Sequence, residues 1–193
     1  DGVLDLYEAN GKIDGDPGVA PDAFAEPNSL FRGRDDGAGW VRFDPVQPPG
    51  GAHGPMVYTS RALAVGDVDD DGGLDVLVVN RDGPAHLLMN RVPMRGAWVR
   101  FRVVTESGRN ALGARVSARI GSEERHRTVQ AAGSYLASHD PRVHFGLGSA
   151  ASVRAVRVLW PDGALESFGD FESGRTFALR QGSGSPGASS AAP

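Results

Sequence analysis

The strongest constraint on this chain is the run Gly66-Asp67-Val68-Asp69-Asp70-Asp71-Gly72-Gly73-Leu74-Asp75. Asp67, Asp69, Asp71 and Asp75 fall at the first, third, fifth and ninth positions of what must be a tight loop. Carboxylates this close repel one another unless a cation lies between them. Ca²⁺ takes about six to eight oxygens at roughly 2.3–2.6 Å, and alternate side chains of a curled loop can converge on one such point. Gly72 follows the third carboxylate, where the backbone must turn sharply and φ > 0 is easiest without a Cβ. The carbonyl of Gly73 then faces the ion. Ca²⁺ is therefore the expected cofactor, with Asp67, Asp69, Asp71, Gly73 and Asp75 as its ligands. The bland alternative is an acidic, solvated turn.

An EF-hand needs a bidentate Glu at the twelfth position and flanking helices. Here the twelfth position is Val78, and the flanks Ala62-Leu63-Ala64-Val65 and Val76-Leu77-Val78-Val79 are short apolar runs. Such runs read as buried strands, so the loop joins two strands. The opening of the chain repeats the pattern. Asp1-Gly2-Val3-Leu4-Asp5-Leu6-Tyr7-Glu8-Ala9-Asn10 aligns with Asp71-Gly72-Gly73-Leu74-Asp75-Val76-Leu77-Val78-Val79-Asn80, an offset of 70 residues. That half-copy adds Asp1 and Asp5 to the candidate metal ligands. A fixed period signals repeat architecture. The half-copy begins at its third carboxylate and there is no initiator Met. The chain is thus expected to be a C-terminal piece of a longer protein.

Two resemblances follow from these residues. Leu63 to Asn90, with its Gly-Asp-Val-Asp-Asp-Asp-Gly-Gly-Leu-Asp core and later Leu87-Leu88-Met89-Asn90, resembles an FG-GAP/VCBS-type repeat. Such repeats build β-propellers with calcium in the loop between strands. The second half resembles the ASPIC/UnbV domain through Asn110–Val116, Gly133–Ser138, His144–Gly148 and Val158–Gly163. Repeats followed by ASPIC/UnbV is the order of the cartilage-acidic-protein-like family, which is similar to extracellular binding proteins. The Pro-rich interval Pro45–Pro55 departs from a regular repeat. The resemblance implies an all-β chain: a partial propeller, cut short at its N-terminus, over residues 1–92, then a small antiparallel sandwich or barrel over 93–181.

Composition agrees with this division. Gly 27 and Pro 13 are high, as many short strands need turns. No apolar window approaches the roughly 18 residues of a membrane span. The absence of Cys excludes disulfides and thiolate metal sites. Residues 1–90 hold 16 acidic and 6 basic residues, a balance of −10; residues 91–193 hold 8 acidic and 14 basic, a balance of +6. The charge reverses at 90–96, where the domain boundary is expected. Trp98–Val103 and Ala114–Ile120 alternate apolar residues with Arg, the pattern of half-solvated antiparallel strands. A basic face for an acidic polysaccharide, or contact with the chain's own acidic half, is the sharper reading. Further strands are expected at 125–130, 153–160, 164–168 and 176–180, with Asp162-Gly163 as a hairpin turn. Residues 182–193 are rich in Gly, Ser, Pro and Ala and read as a disordered tail.

Most catalytic constellations fail on the pattern, and nothing singles out a pair of carboxylates for glycoside hydrolysis outside the Asp loop. Ser138-His139-Asp140 has triad composition, but adjacent residues cannot aim their side chains into one hydrogen-bonded chain. His144 reads as a packed structural His, and no His pair has zinc spacing. Trp98, Trp160 and Tyr135 read as packing residues before sugar platforms. No basic run or aromatic interleaving suggests nucleic acid. The expectation is a calcium-stabilised, non-enzymatic binding protein, extracellular or at the cell surface, with a protein or glycan ligand. A carbohydrate-binding or adhesion module, and part of a secreted hydrolase, are the alternatives.

Overall fold

A computed structural model describes residues 2–15, 22–93 and 95–187. Among the described residues the only helix is a short 3₁₀ turn, Pro49–Gly51, and all other regular elements are strands. No helix among them is long and apolar enough to cross a membrane.

The first half contains β1 (Leu6–Glu8), β2 (Glu26–Pro27), β3 (Ser29–Asp35), β4 (Val41–Pro45), β5 (Val57–Tyr58), β6 (Ser60–Gly66), β7 (Asp75–Asn80) and β8 (His86–Leu88). They form two three-stranded antiparallel sheets, β1-β3-β4 and β6-β7-β8, and a short β2-β5 pair. The two apolar runs around the Asp loop are β6 and β7, paired in register from Gly66↔Asp75 outward, so the loop is a strand-to-strand connection. The β3–β4 hairpin was not expected from the sequence.

The second half contains β9 (Ala97–Val104), β10 (Arg115–Ile120), β11 (Glu123–Thr128), β12 (Val143–Gly148), β13 (Ser152–Leu159), β14 (Leu165–Glu172), β15 (Arg175–Arg180) and β16 (Ser185–Pro186). A five-stranded sheet, β11-β10-β13-β14-β16, faces a three-stranded sheet, β12-β9-β15. Val99, Phe101 and Val103 point inward from β9 and meet Val116, Ala118, Val156, Val158, Phe145 and Leu179 in one fully buried cluster. The expected Asp162-Gly163 turn joins β13 to β14, with Gly163 N–H donating to the Trp160 carbonyl at 2.9 Å.

Three features differ from expectation. The three-stranded sheet is mixed, because β15 runs parallel to β9 from Arg175↔Val99 to Arg180↔Val104. The chain passes from β14 to β15 through only Ser173 and Gly174, and so changes sheets without reversing beside β9. β12 forms although two glycines weaken its strand propensity. The start of the supposed tail is ordered: Glu166 accepts the Gly182 and Gly184 N–H groups, and Ser185–Pro186 pairs with β14. Residues 188–193 lie outside the described residues.

The two halves are built differently. Every residue of the apolar cluster lies between Val99 and Leu179. Among the described residues of the first half only Met56 and Val78 are buried hydrophobic residues, whereas Asn28, Thr59, Ser60, Asp67, Asp75 and Asn80 are buried and polar. Hydrogen bonds tie these together: Ser60 Oγ donates to Asn80 Oδ1 at 2.8 Å and contacts Asn28 Oδ1 at 3.1 Å. Truncating the centre of the apolar cluster should therefore unfold the second half. Phe101 is fully buried against Phe145, Phe171 and Phe177. Phe101→Ala is expected to cost about 3–5 kcal/mol in urea unfolding, while Leu112→Ala, at a site 55% exposed, should stay within about 0.5 kcal/mol.

Candidate functional site

The Asp loop closes on itself before it meets anything else. Asp67 Oδ1 accepts the Asp71 N–H at 3.1 Å and Oδ2 accepts the Gly72 N–H at 2.8 Å. Asp71 Oδ1 accepts the Gly73 N–H at 2.8 Å. Asp75 spans the loop: Oδ2 accepts Val68 N–H and Oδ1 accepts Asn90 N–H, both at 2.8 Å. These bonds curl the backbone so that one carboxylate oxygen each of Asp67, Asp69 and Asp71 lies within 4.8 Å of the others. Among the described residues this is the one group of three or more side chains placed to hold a metal. The donors are all hard oxygens, which fits a hard divalent cation. Asp75 is not a member of that group; both its oxygens serve as a backbone brace. Gly73 is buried and contributes its N–H to the curl.

The half-copy near the N-terminus has matching geometry. Gly2 and Gly72 have φ of +90° and +88°. Asp5 Oδ1 accepts the Gly33 N–H at 2.8 Å, as Asp75 Oδ1 accepts Asn90 N–H. Asn10 Nδ2 donates to the Pro27 carbonyl at 3.0 Å, and Asn80 Nδ2 donates to the Pro84 carbonyl at 2.7 Å. Three aligned positions thus have similar local roles, with partners at different separations along the chain. Asp1, the remaining candidate ligand, lies outside the described residues.

The loop is also where the second half docks. His144, Arg100 and Thr176 form a row across β12, β9 and β15, on the face of that sheet opposite its apolar core. Arg100 is only 2% exposed and donates from Nη1 to Asp67 Oδ2 at 2.8 Å, from Nε to Thr176 Oγ1 at 3.0 Å, and from Nη2 to Asp70. Arg142 bonds Asp140 Oδ2 through Nε at 2.7 Å and reaches Asp70 Oδ1 at 3.3 Å. His144 stands 3.0 Å from the Gly72 carbonyl, which can only accept, so Nε2 carries the proton. Burial, more than any neighbouring charge, pushes the His144 pKa down. His139 Nδ1 accepts the Val65 N–H at 3.0 Å, and Asp140 N–H donates to the Val65 carbonyl at 3.0 Å. The Ser138-His139-Asp140 segment is therefore a clasp on the end of β6.

The linker between β8 and β9 supplies two more cations. Arg95 grips both oxygens of Asp71 at 2.6 Å, and Arg91 lies 3.2 Å from Asp69. The Arg95 hydrogen bond, helped by the Gly73 N–H, holds the Asp71 carboxyl at about 2. The hydrogen bond from Arg100 holds Asp70 below the usual carboxylate range. Alternate carboxylates therefore have different tasks: Asp67, Asp69 and Asp71 converge, while Asp70, at φ +56°, turns toward the second half.

For Arg100 the solvated-face reading is corrected and the alternative, contact with the chain's own acidic half, holds: the Asp loop covers it. Sequence reasoning missed Asp70, Arg91, Arg95 and Arg142 as loop partners. The charge reversal at residue 90 was the available signal. Trp98 packs as expected, but at the docking surface, stacked on His144 with centroids 6.0 Å apart. Gly72 lies directly beneath it, and a Cβ there would come 1.9 Å from Trp98 Nε1.

Residues 104–186 match the family model described as ASPIC and UnbV, a span that holds β10 to β16. Over 106 residues the chain is 30% identical to cartilage acidic protein 1 of Xenopus tropicalis, covering 53% of this chain and 16% of that protein. Over 128 residues it is 29% identical to cartilage acidic protein 1 of Homo sapiens and of Mus musculus, covering 64% of this chain and 18% of each. The chain thus spans less than a fifth of the length of the curated relatives it matches.

Two substitutions test the docking geometry. Arg100→Ala leaves Asp67 buried without its counter-charge and should cost about 3–5 kcal/mol. Gly72→Ala combines a left-handed backbone with a steric clash and should cost at least about 2 kcal/mol. Urea unfolding followed by Trp fluorescence reads both.

Proposed function

We propose that this chain is a calcium-braced, non-catalytic interaction module of an extracellular protein. An FG-GAP/VCBS-type repeat carries the metal, and the ASPIC/UnbV domain is docked on it. The observation that carries the reading is the convergence of Asp67, Asp69 and Asp71 on a loop that a second domain covers. The cation's contribution is charge neutralisation and stiffening of the loop. Arg91 and Arg95 already neutralise Asp69 and Asp71 from exposed positions, so Ca²⁺ would compete with them for those oxygens. Arg100 is buried and would stay on Asp67. Binding fixes the loop, and the loop holds the second domain's orientation through Arg100, Arg142 and His144.

The non-catalytic reading is supported by how the best catalytic candidates are used. His139 and His144 each spend a ring nitrogen on a backbone bond of the first half. An extracellular location suits a loop of this kind, since extracellular calcium modules bind at ~10⁻⁴–10⁻³ M. The matched relatives carry the name of cartilage, which agrees with that location.

Calcium titration of this chain by calorimetry should give a Kd of ~10⁻⁴–10⁻³ M. Asp69→Asn with Asp71→Asn should abolish the heat, and its absence in the unaltered chain would overturn the reading. Calcium at about 100 times Kd should add roughly 2.7 kcal/mol, or about 5–10 °C in Tm, relative to chelator. Arg95→Ala removes a competitor, so it should tighten calcium binding by up to about fivefold, the scale of one exposed ion pair, while lowering the Tm in chelator.

A further inference from the structure

Two sets of arginines stand out in the second half. Arg91, Arg95, Arg100 and Arg142 face the Asp loop. Another set lies on the outer face of the five-stranded sheet, where pairing aligns Arg115 with Thr128 and Leu159, Ser117 with His126 and Arg157, and Arg119 with Glu124 and Arg154. Arg115, Arg119 and Arg154 are exposed. No ion pair among the described residues engages any of the three. Glu124 serves several bases at once: it bonds Arg157 and lies within electrostatic reach of His126 and Arg119. Asp170 accepts the Ala155 N–H at 2.9 Å and so caps the backbone at the bulge beside Arg154.

Cross-strand pairing accounts for only part of this arrangement. Arg119 has Glu124 opposite it on β11 but Arg154 opposite it on β13, and like charges opposite one another destabilise a sheet. The pairing also depends on a bulge. β13 carries an extra residue where it passes Ser117–Arg119 of β10 and again relative to β14 between Val153 and Val156, and Ala155 is held there at φ +52°. A left-handed Ala is a strained residue, and bulges re-aim side chains. Here the bulge exposes both Arg154 and Ala155.

We propose that the outer face of β10 and β13, centred on Arg115, Arg119, Arg154 and Arg157, binds a linear anionic polysaccharide. Charge complementarity is the first argument: guanidinium forks match sulfate and carboxylate groups in a bidentate way. The second is shape. The arginines form an open strip, with Arg115 about 13 Å along the strand from Arg119, suited to a chain lying across a sheet rather than to a small ligand in a pocket. The third is what stands between them. Ser117, Thr128 and Ser167 offer hydroxyls, and no Phe, Tyr or Trp occupies these register positions. Nucleic acid in single-stranded form needs aromatic platforms. The proposal goes beyond the calcium reading and uses none of its residues.

The test uses the whole chain, heparin and a heparin-derived oligosaccharide in about 0.15 M salt, the physiological ionic strength. Retention on heparin and saturable calorimetric binding are expected. Arg119→Ser with Arg154→Ser should weaken binding at least about tenfold, the loss of two charge-assisted contacts, with little change in Tm because relief of the like-charge pair offsets the lost attraction between Arg119 and Glu124. Arg102→Ser with Arg109→Ser removes two exposed arginines elsewhere and should change binding less than about twofold, the scale of unpaired surface charge. Binding that persists in chelator separates this surface from the metal loop. The proposal is overturned by no retention, by an equal loss in the control pair, or by equal affinity for single-stranded DNA. It also fails if heparin does not bind and the Arg119/Arg154 substitutions instead abolish concentration-dependent self-association.

Discussion

Arg100 on Asp67 is the contact on which the arrangement of the two halves depends. A guanidinium at 2% exposure and a buried carboxylate have both left water, and such a pair survives only when its remaining valences are met. They are met from both sides. Thr176, Asp67 and Asp70 accept from Arg100, while the loop's own Asp71 and Gly72 N–H groups donate to Asp67. Replacing buried ion pairs with apolar residues is often neutral or stabilising. We therefore read this pair as a device for orientation. An apolar contact would permit sliding, whereas a guanidinium shared by three acceptors fits one register. The His144–Gly72 bond and the close approach of Trp98 to Gly72 reinforce that register at a second point of the loop.

That device matters because the first half lacks a substitute for it. Its interior is a polar frame of Asn28, Ser60, Asp67, Asp75 and Asn80, each bonded to backbone or to another frame member. Such a frame defines geometry well but supplies little of the apolar burial that drives folding. The second half has a continuous apolar cluster and can brace its partner. The repeated brace at Asp5 and Asp75 belongs to the same logic. Each carboxylate fixes the start of one strand to the N–H of a residue in or beyond a neighbouring strand, so the sheet's register is set by polar bonds.

Much of this was readable in the sequence where one residue determines its own surroundings. Aspartates at alternate positions with Gly72 behind them define a curled loop, and the half-copy follows from Gly2, Asp5 and Asn10. The Val- and Phe-bearing alternations located β9, β10 and β13 within a few residues. What was hidden depended on distant partners. Arg100 alternates with Val99 and Phe101 just as Arg102 does, yet one is buried and the other exposed; only the docked loop distinguishes them. The parallel pairing of β15 with β9 likewise leaves no local mark. β16 forms because Glu166, on another strand, captures Gly182 and Gly184, so a composition typical of disorder is overridden from outside.

The charge asymmetry takes on a sharper meaning in the fold. Had the +6 of the second half existed only to balance the −10 of the first, its arginines would all face the Asp loop. Arg91, Arg95, Arg100 and Arg142 do. Arg115, Arg119 and Arg154 lie on the opposite sheet, with the apolar core between them and the loop. Coulomb attraction across that thickness is weak in salt, because the Debye length is about 8–10 Å and a stacked pair of sheets is about 10 Å thick before the loop is reached. Attraction to the Asp loop therefore accounts for one set of arginines and not for the other, where Glu124 offsets part of the charge and a bulge with a left-handed Ala155 sets Arg154 opposite Arg119.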